Sequence, residues 1–209
     1  MSRQERRHGE TQSSGKWKKW VWICLAVLII AGFWYYSSNK GTGVDYSQYN
    51  YTDDVYASPN ATTVIEEFSD FQCPYCQAFS PVIRAIRDAN IGKVRVVYKE
   101  FPLRSVHEFA EGAAEAAECS RDQNRFWAYH DVLFESKLID SRSLKLHAKG
   151  LGLNMQQWQQ CMDTGKSNTA ITQDLLEGQQ RGVQGTPTLF VNGQLFQGRS
   201  IEEFQAAIK

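Results

Sequence analysis

Two thiols three positions apart, in Cys73-Pro74-Tyr75-Cys76, are the residues of this chain with the clearest chemistry. Held on one turn of backbone, such a pair can open and close a disulfide and so exchange electrons with other thiols. The competing use of a CxxC pair is half of a zinc site, which needs a second CxxC or a nearby Cys/His pair. The other cysteines, Cys24, Cys119 and Cys161, are widely separated, and His8, His107, His130 and His147 form no ligand-spaced pair. No metal is therefore expected at the dithiol.

The elements that must position the pair are legible on either side of it. Residues 63–68, Thr-Val-Ile-Glu-Glu-Phe, are β-branched and aromatic and predict a strand. Residues 77–89 carry Phe79, Val82, Ile83 and Ile86 at helical spacing. Cys73 thus falls where a strand hands over to a helix, and Pro74 occupies the first helical position, where its fixed φ fits and its missing N–H costs little. The free N–H groups and dipole of a helix start favour a thiolate at Cys73. This predicts Cys73 as the exposed, reactive sulfur and Cys76 as its buried partner.

Four segments occur in a telling order: Glu67-Phe-Ser-Asp-Phe-Gln-Cys-Pro-Tyr-Cys76; Tyr98-Lys-Glu-Phe-Pro-Leu103; Ala116-Ala-Glu-Cys119 with Phe126-Trp-Ala-Tyr-His-Asp131; and Gly185-Thr-Pro-Thr-Leu-Phe-Val-Asn-Gly193. From about residue 59 to the C-terminus the chain resembles the DsbA-like thiol-disulfide oxidoreductases of bacterial envelopes, within the thioredoxin fold. Cys-Pro-Tyr-Cys also occurs in glutaredoxins, so the resemblance rests on the set. It implies a catalytic Cys73–Cys76 pair supported by Pro74 and Tyr75, and a cis Thr186–Pro187 bond facing that pair. The cis bond would leave Thr186 backbone groups free to pair with an extended substrate chain. It also implies a buried acid six residues before Cys73, at Glu67, able to relay protons to Cys76. Period two in the strand leaves Glu66 competing for the inward face, with a solvated strand-end acid as the plainer reading of Glu67.

The rest of the chain divides by composition. Residues 1–19 hold six Lys/Arg and two Glu, which leaves 17 Lys/Arg against 21 Asp/Glu beyond them. A mildly acidic body gives no support for nucleic-acid binding. The basic tail precedes seventeen uncharged residues, 20–36, flanked by Trp17, Trp20 and Trp22 and by Trp34, Tyr35 and Tyr36. That pattern predicts one transmembrane anchor, with a cytoplasmic tail at 1–19 and the rest outside. The bulky residues after the apolar run lack a cleavage pattern, which sets aside a removed signal peptide. Residues 37–58, rich in Ser, Gly, Asn, Asp and Tyr, are expected to be a linker. Residues 59–209 then form the thioredoxin-fold domain, with an all-helical insertion over about 105–165.

The expected fold class is α/β: a sheet of four or five strands, an inserted helical subdomain and an N-terminal transmembrane helix. Asn192-Gly193 reads as a primed hairpin turn before an edge strand. His107, His130 and Trp127 are expected to pack in the core or groove, with His107 also a candidate for the active-site face. Cys119 and Cys161, both on the insertion, are expected to pair in an exported protein, two separate buried thiols being the alternative.

The expected function is introduction of disulfides into exported proteins with free cysteines. The family's usual electron acceptor is a membrane quinone reductase of the DsbB or vitamin K epoxide reductase type, and no cofactor is expected in the domain. A reductase or isomerase of the same fold remains open, because threonine before the proline is common in reducing members. So does a membrane-tethered chaperone that holds unfolded clients.

Overall fold

The computed structural model describes residues 14–38, 41–56 and 58–208, and divides into two units, residues 1–41 and 42–209. Most of the tail expected at 1–19 lies outside the described residues. The first unit contributes α1 (Ser14–Ser38), whose apolar side chains from Trp20 to Trp34 are exposed. Among the described residues no helix is long and apolar enough to cross a membrane.

In the second unit, β1 (Thr63–Ser69) leads into α2 (Pro74–Ala89) and back to β2 (Val94–Glu100). Four helices follow: α3 (Ala110–Arg121), α4 (Phe126–Ser136), α5 (Ser141–Gly150) and α6 (Met155–Thr164). Then come α7 (Asn168–Gln180), β3 (Thr188–Val191), β4 (Gln194–Phe196) and α8 (Ile201–Ala207). The sheet order is β2-β1-β3-β4, with β1 and β2 parallel and the other two pairs antiparallel. Asn192 and Gly193 turn the β3–β4 hairpin with φ of 50° and 80°, the left-handed pair that a primed turn requires.

The sheet separates two cores. Ile65, Phe71, Val96, Tyr98 and Leu189 join one apolar cluster with residues of α2, the four-helix insertion and α8. Phe68, Phe101, Val183 and Phe190 form the other. Here α7 crosses so closely that a Cβ at Gly178 would lie 2.7 Å from the Phe101 ring, which explains glycine in mid-helix. Arg181 lies over the Phe190 ring on this face and pairs with Glu66 at 2.9 Å, while Lys99 bridges Asp174 and Glu177.

The linker expected at 37–58, and a domain beginning at 59, are corrected: the folded unit begins at Thr42. Two short 3-10 turns, Tyr46–Tyr49 and Asp53–Tyr56, lie against α4. Tyr49 is fully buried, and its carbonyl accepts a hydrogen bond from Arg125. The Tyr46 hydroxyl reaches His147 Nδ1 at 2.9 Å, and the Tyr51 hydroxyl donates to Asp131 at 2.5 Å. Arg125, at the N-cap of α4, makes no side-chain cap. Asp53 does that work from 73 residues away, accepting from the backbone N–H groups of Phe126 (2.9 Å) and Trp127 (2.8 Å). The polar residues of the segment hide tyrosine rings that pack against the domain; the hydroxyls of Tyr46, Tyr51 and Tyr56 are paired.

Candidate active site

The site is assembled at the end of β1. Asp70, 1% exposed, organises the loop beyond it. Its carboxylate accepts from the backbone N–H of Gln72 (2.7 Å) and of Leu103 (2.8 Å), and meets His107 Nδ1 at 2.8 Å. Its carbonyl accepts from Cys73 N–H at 3.1 Å. Gln77 closes the same loop, donating through Nε2 to the Phe71 carbonyl. Cys73 is the extended N-cap residue of α2, with Pro74 in the first turn.

The expectation that Cys73 is the exposed sulfur is corrected. Cys73 is 3% exposed and Cys76 is fully buried. The physical reason is the loop before β3: the peptide bond Thr186–Pro187 is cis, and the Cys73 thiol donates to the Thr186 carbonyl at 3.4 Å. The structure holds both sulfurs as free thiols. Tyr75 projects outward beside them, three-quarters exposed. A groove of about 350 Å³ runs along this edge, lined by Tyr75, Ala78, Phe79, Thr186, Pro187 and Arg199.

Beneath the dithiol lies a polar seam within the apolar sheet face. Glu67, rather than Glu66, points inward and is 1% exposed. Its parallel neighbour in register is Tyr98, and Ser69 faces Glu100 one step on. Burial raises the Glu67 carboxyl from its ordinary 4.5 to about 7, although the Ser69 hydroxyl works in the opposite direction. Burial, and then the charge of Glu67, push the Cys76 thiol well above its ordinary value, while Ser69 and Thr186 work against that rise. Glu100 and Tyr98 are driven upward mainly by burial too. Among the described residues, one carboxylate oxygen of Glu67, both of Glu100, and the hydroxyls of Ser69 and Tyr98 have no hydrogen-bond partner. A group in such a seam favours its neutral form, so a sulfur leaving as Cys76 thiolate has strong reason to take up a proton.

Cys73, Cys76, Tyr75, Thr186 and Pro187 thus converge, with Glu67 below them. Cys119 and Cys161 stand apart: they form a disulfide joining α3 to α6, with Cα atoms 5.7 Å apart, beside a polar cleft of about 460 Å³. His130 and Trp127 are buried, packed together among Phe126, Tyr98 and Phe134. Sequence reasoning passed over Asp70, Ser69, Glu100 and Arg199. For Asp70 a signal existed, since an Asp two residues before an N–H it can accept from is an Asx turn.

Residues 50–209 match a family model described as thioredoxin. A "probable disulfide bond formation protein D" of Bacillus anthracis is 26% identical over 185 residues, covering 82% of this chain and 85% of that protein. The crystal structure of a thioredoxin-like oxidoreductase from Silicibacter pomeroyi superposes with a TM-score of 0.64 at 29% identity, over 72% of this chain and 86% of that one. The Na(+)/H(+) antiporter NhaA 3 of Salinispora tropica is 34% identical over 158 residues, which cover 75% of this chain and 24% of the antiporter. The chain thus spans about a quarter of the length of that curated relative.

Proposed function

The chain belongs to the thioredoxin family, and from that premise we propose that it is a DsbA-like thiol-disulfide oxidoreductase that introduces disulfides into exported proteins. The observation that carries this reading is the placement of Cys73 at the start of α2, its thiol 3.4 Å from the Thr186 carbonyl in front of the cis proline.

In the oxidised protein a client thiolate attacks the Cys73 sulfur. The Cys73–Cys76 bond breaks, a client–Cys73 disulfide forms, and Cys76 departs with the electron pair. The departing sulfur is buried and takes a proton from Glu67, which burial keeps protonated up to about pH 7. A second client thiolate then attacks the client's own sulfur, and Cys73 leaves. The client has gained a disulfide and the protein two electrons. Those electrons pass to a membrane quinone reductase of the DsbB or vitamin K epoxide reductase type. The ground for proposing a cell-membrane anchor with the N-terminus inside is the sequence pattern, Lys16, Lys18 and Lys19 ahead of the uncharged run 20–36. The likeness to a disulfide bond formation protein supports the extracytoplasmic placement.

The test is the equilibrium potential of Cys73–Cys76 in graded glutathione buffers. A potential well above the roughly −270 mV of thioredoxin, toward the roughly −120 mV of DsbA, is expected. A value near thioredoxin's overturns the oxidase direction in favour of a reductase. A Cys73→Ser variant that keeps full activity toward unfolded clients would instead establish a chaperone.

A further inference from the structure

We propose that the groove beside the dithiol selects client segments with a carboxylate side chain close to the reacting cysteine, and that Arg199 is the residue that reads it. The inference rests on the oxidoreductase reading above and adds the chemical class of its clients.

The groove walls are apolar: Phe79, Ala78, Pro187 and the Tyr75 ring. Arg199 is the one cationic side chain among its lining residues. Five other arginines, Arg84, Arg87, Arg104, Arg121 and Arg181, each hold a carboxylate within ion-pair distance. Among the described residues Arg199 has no such pair. Its guanidinium donates to the Gly198 carbonyl at 2.9 Å and sits 5.7 Å from the centre of the Phe79 ring. The nearby acids are Glu202 and Glu203 on α8. Glu203 is committed elsewhere: its carboxylate accepts from the backbone N–H groups of Arg199 (2.7 Å) and Ser200 (2.9 Å) in the capping box of that helix. Glu202, in the first turn of that helix, is exposed and makes no ion pair with Arg199 among the described residues.

An extended client reaching Cys73 must pass the Thr186–Pro187 edge, and the groove runs on from that edge to Arg199. Alternate side chains of an extended segment point the same way, so one side chain within a few residues of the client cysteine falls toward the groove. An aliphatic side chain there meets apolar walls and a guanidinium that has no carboxylate within ion-pair distance, Glu203 acting on it only from further off. An acidic one meets a complementary charge, and a lysine meets repulsion. Arg199 is exposed, so both effects are modest and screened by salt.

The experiment uses the oxidised full chain and single-cysteine peptides that differ only in the side chain two residues from the cysteine, on either side: Glu, Gln or Lys. Each second-order rate is divided by the peptide's rate with a small aromatic disulfide, which removes differences in peptide thiol reactivity. On at least one side, Glu is expected to exceed Gln by roughly two- to fivefold, the range of a part-exposed ion pair. That advantage should shrink at high salt, vanish in Arg199→Gln and invert toward Lys in Arg199→Glu, each rate being compared with that of the Gln peptide on the same variant. An equal Glu advantage in Arg199→Gln, or none in the parent chain, overturns the proposal. Failure of every peptide to react would overturn the exchange reading itself. Matching circular dichroism of the variants excludes a folding defect.

Discussion

The guanidinium of Arg87 grips the carboxylate of Asp131 with two parallel hydrogen bonds, 3.1 Å from Nη1 and 2.7 Å from Nη2, across 44 residues of chain. Both side chains are at most 2% exposed. The pair fastens α2, the helix that begins at Cys73, to α4 of the insertion. Neighbours complete it: His130 Nδ1 lies 2.8 Å from Asp131, Arg84 is 3.5 Å away, and Tyr56 and Trp127 lie under the Arg87 guanidinium.

Removing one partner should strand a buried charge. Asp131→Ala is expected to lower stability by about 3–5 kcal/mol, measured by denaturant unfolding. Burial alone would raise the Asp131 carboxyl, but the His130 contact and the Arg87 charge outweigh it and hold it well below its usual 3.8. The folded value is therefore depressed, so this stability is present above about pH 4 and lost as pH falls through the folded value. An acid-unfolding midpoint unchanged in Asp131→Asn would contradict the assignment.

Glu67 carries the opposite sign. Its folded value of about 7 lies above the ordinary 4.5, so its contribution is fully present below about pH 4.5 and lost as pH rises through 7. At about 1.4 kcal/mol per unit, the full loss is about 3 kcal/mol. Glu67→Gln should flatten the stability of the reduced protein between pH 5 and 8. It should also slow reduction of the disulfide by a dithiol, because Cys76 loses its proton donor. An unchanged rate would remove Glu67 from the mechanism while leaving the stability claim standing.

Asp53→Ala should cost about 0.5–2 kcal/mol, the range for losing an N-terminal cap, despite lying 73 residues before the helix it caps. Asp53→Asn, which keeps an acceptor, should cost less. Equal losses in the two variants would point to the charge of Asp53 rather than its hydrogen bonds.

The Cys119–Cys161 bridge closes a loop with a sequence separation of 42, worth roughly 4 kcal/mol in the chain-entropy model. Replacing both cysteines with serine should lower the unfolding midpoint and leave the Cys73–Cys76 potential within about 10 mV of the parent value. A larger shift would show that the two disulfides communicate.

Limiting iodoacetamide on the reduced protein should label Cys73 before Cys76. Cys73 sits at a helix start at the edge of the groove, 3% exposed and hydrogen-bonded to the Thr186 carbonyl, whereas Cys76 is fully buried above Glu67. Peptide mapping that finds the adduct chiefly on Cys76 would reverse the assigned roles.

Local pattern was enough to read the strands around Cys73, the helical spacing of the insertion and the Asn192-Gly193 turn, because each is set by neighbours a few residues away. The four segment motifs carried the dithiol and the cis proline edge. What stayed hidden depends on distant partners. Nothing near Asp53 says that it caps a helix at Phe126, and nothing near Arg87 names Asp131. The burial of Cys73 comes from Thr186, 113 residues on. Residues 42–56 read as a linker because their polar atoms are visible in the sequence and the rings they bury are not.

The strap from Thr42 to Tyr56 also sets how this domain bears mechanical load. A pull on the chain ahead of Thr42 is not delivered to the sheet that ends at Cys73. It is first resisted where Tyr46 meets His147, where Tyr49 is wedged into the core, and where Asp53 holds the end of α4. Tension would have to peel these contacts before it could stretch β1. The redox pair is in this sense strain-relieved, as a cable is clamped ahead of its terminals: a load on the chain would loosen the strap before it altered the distance between Cys73 and Thr186.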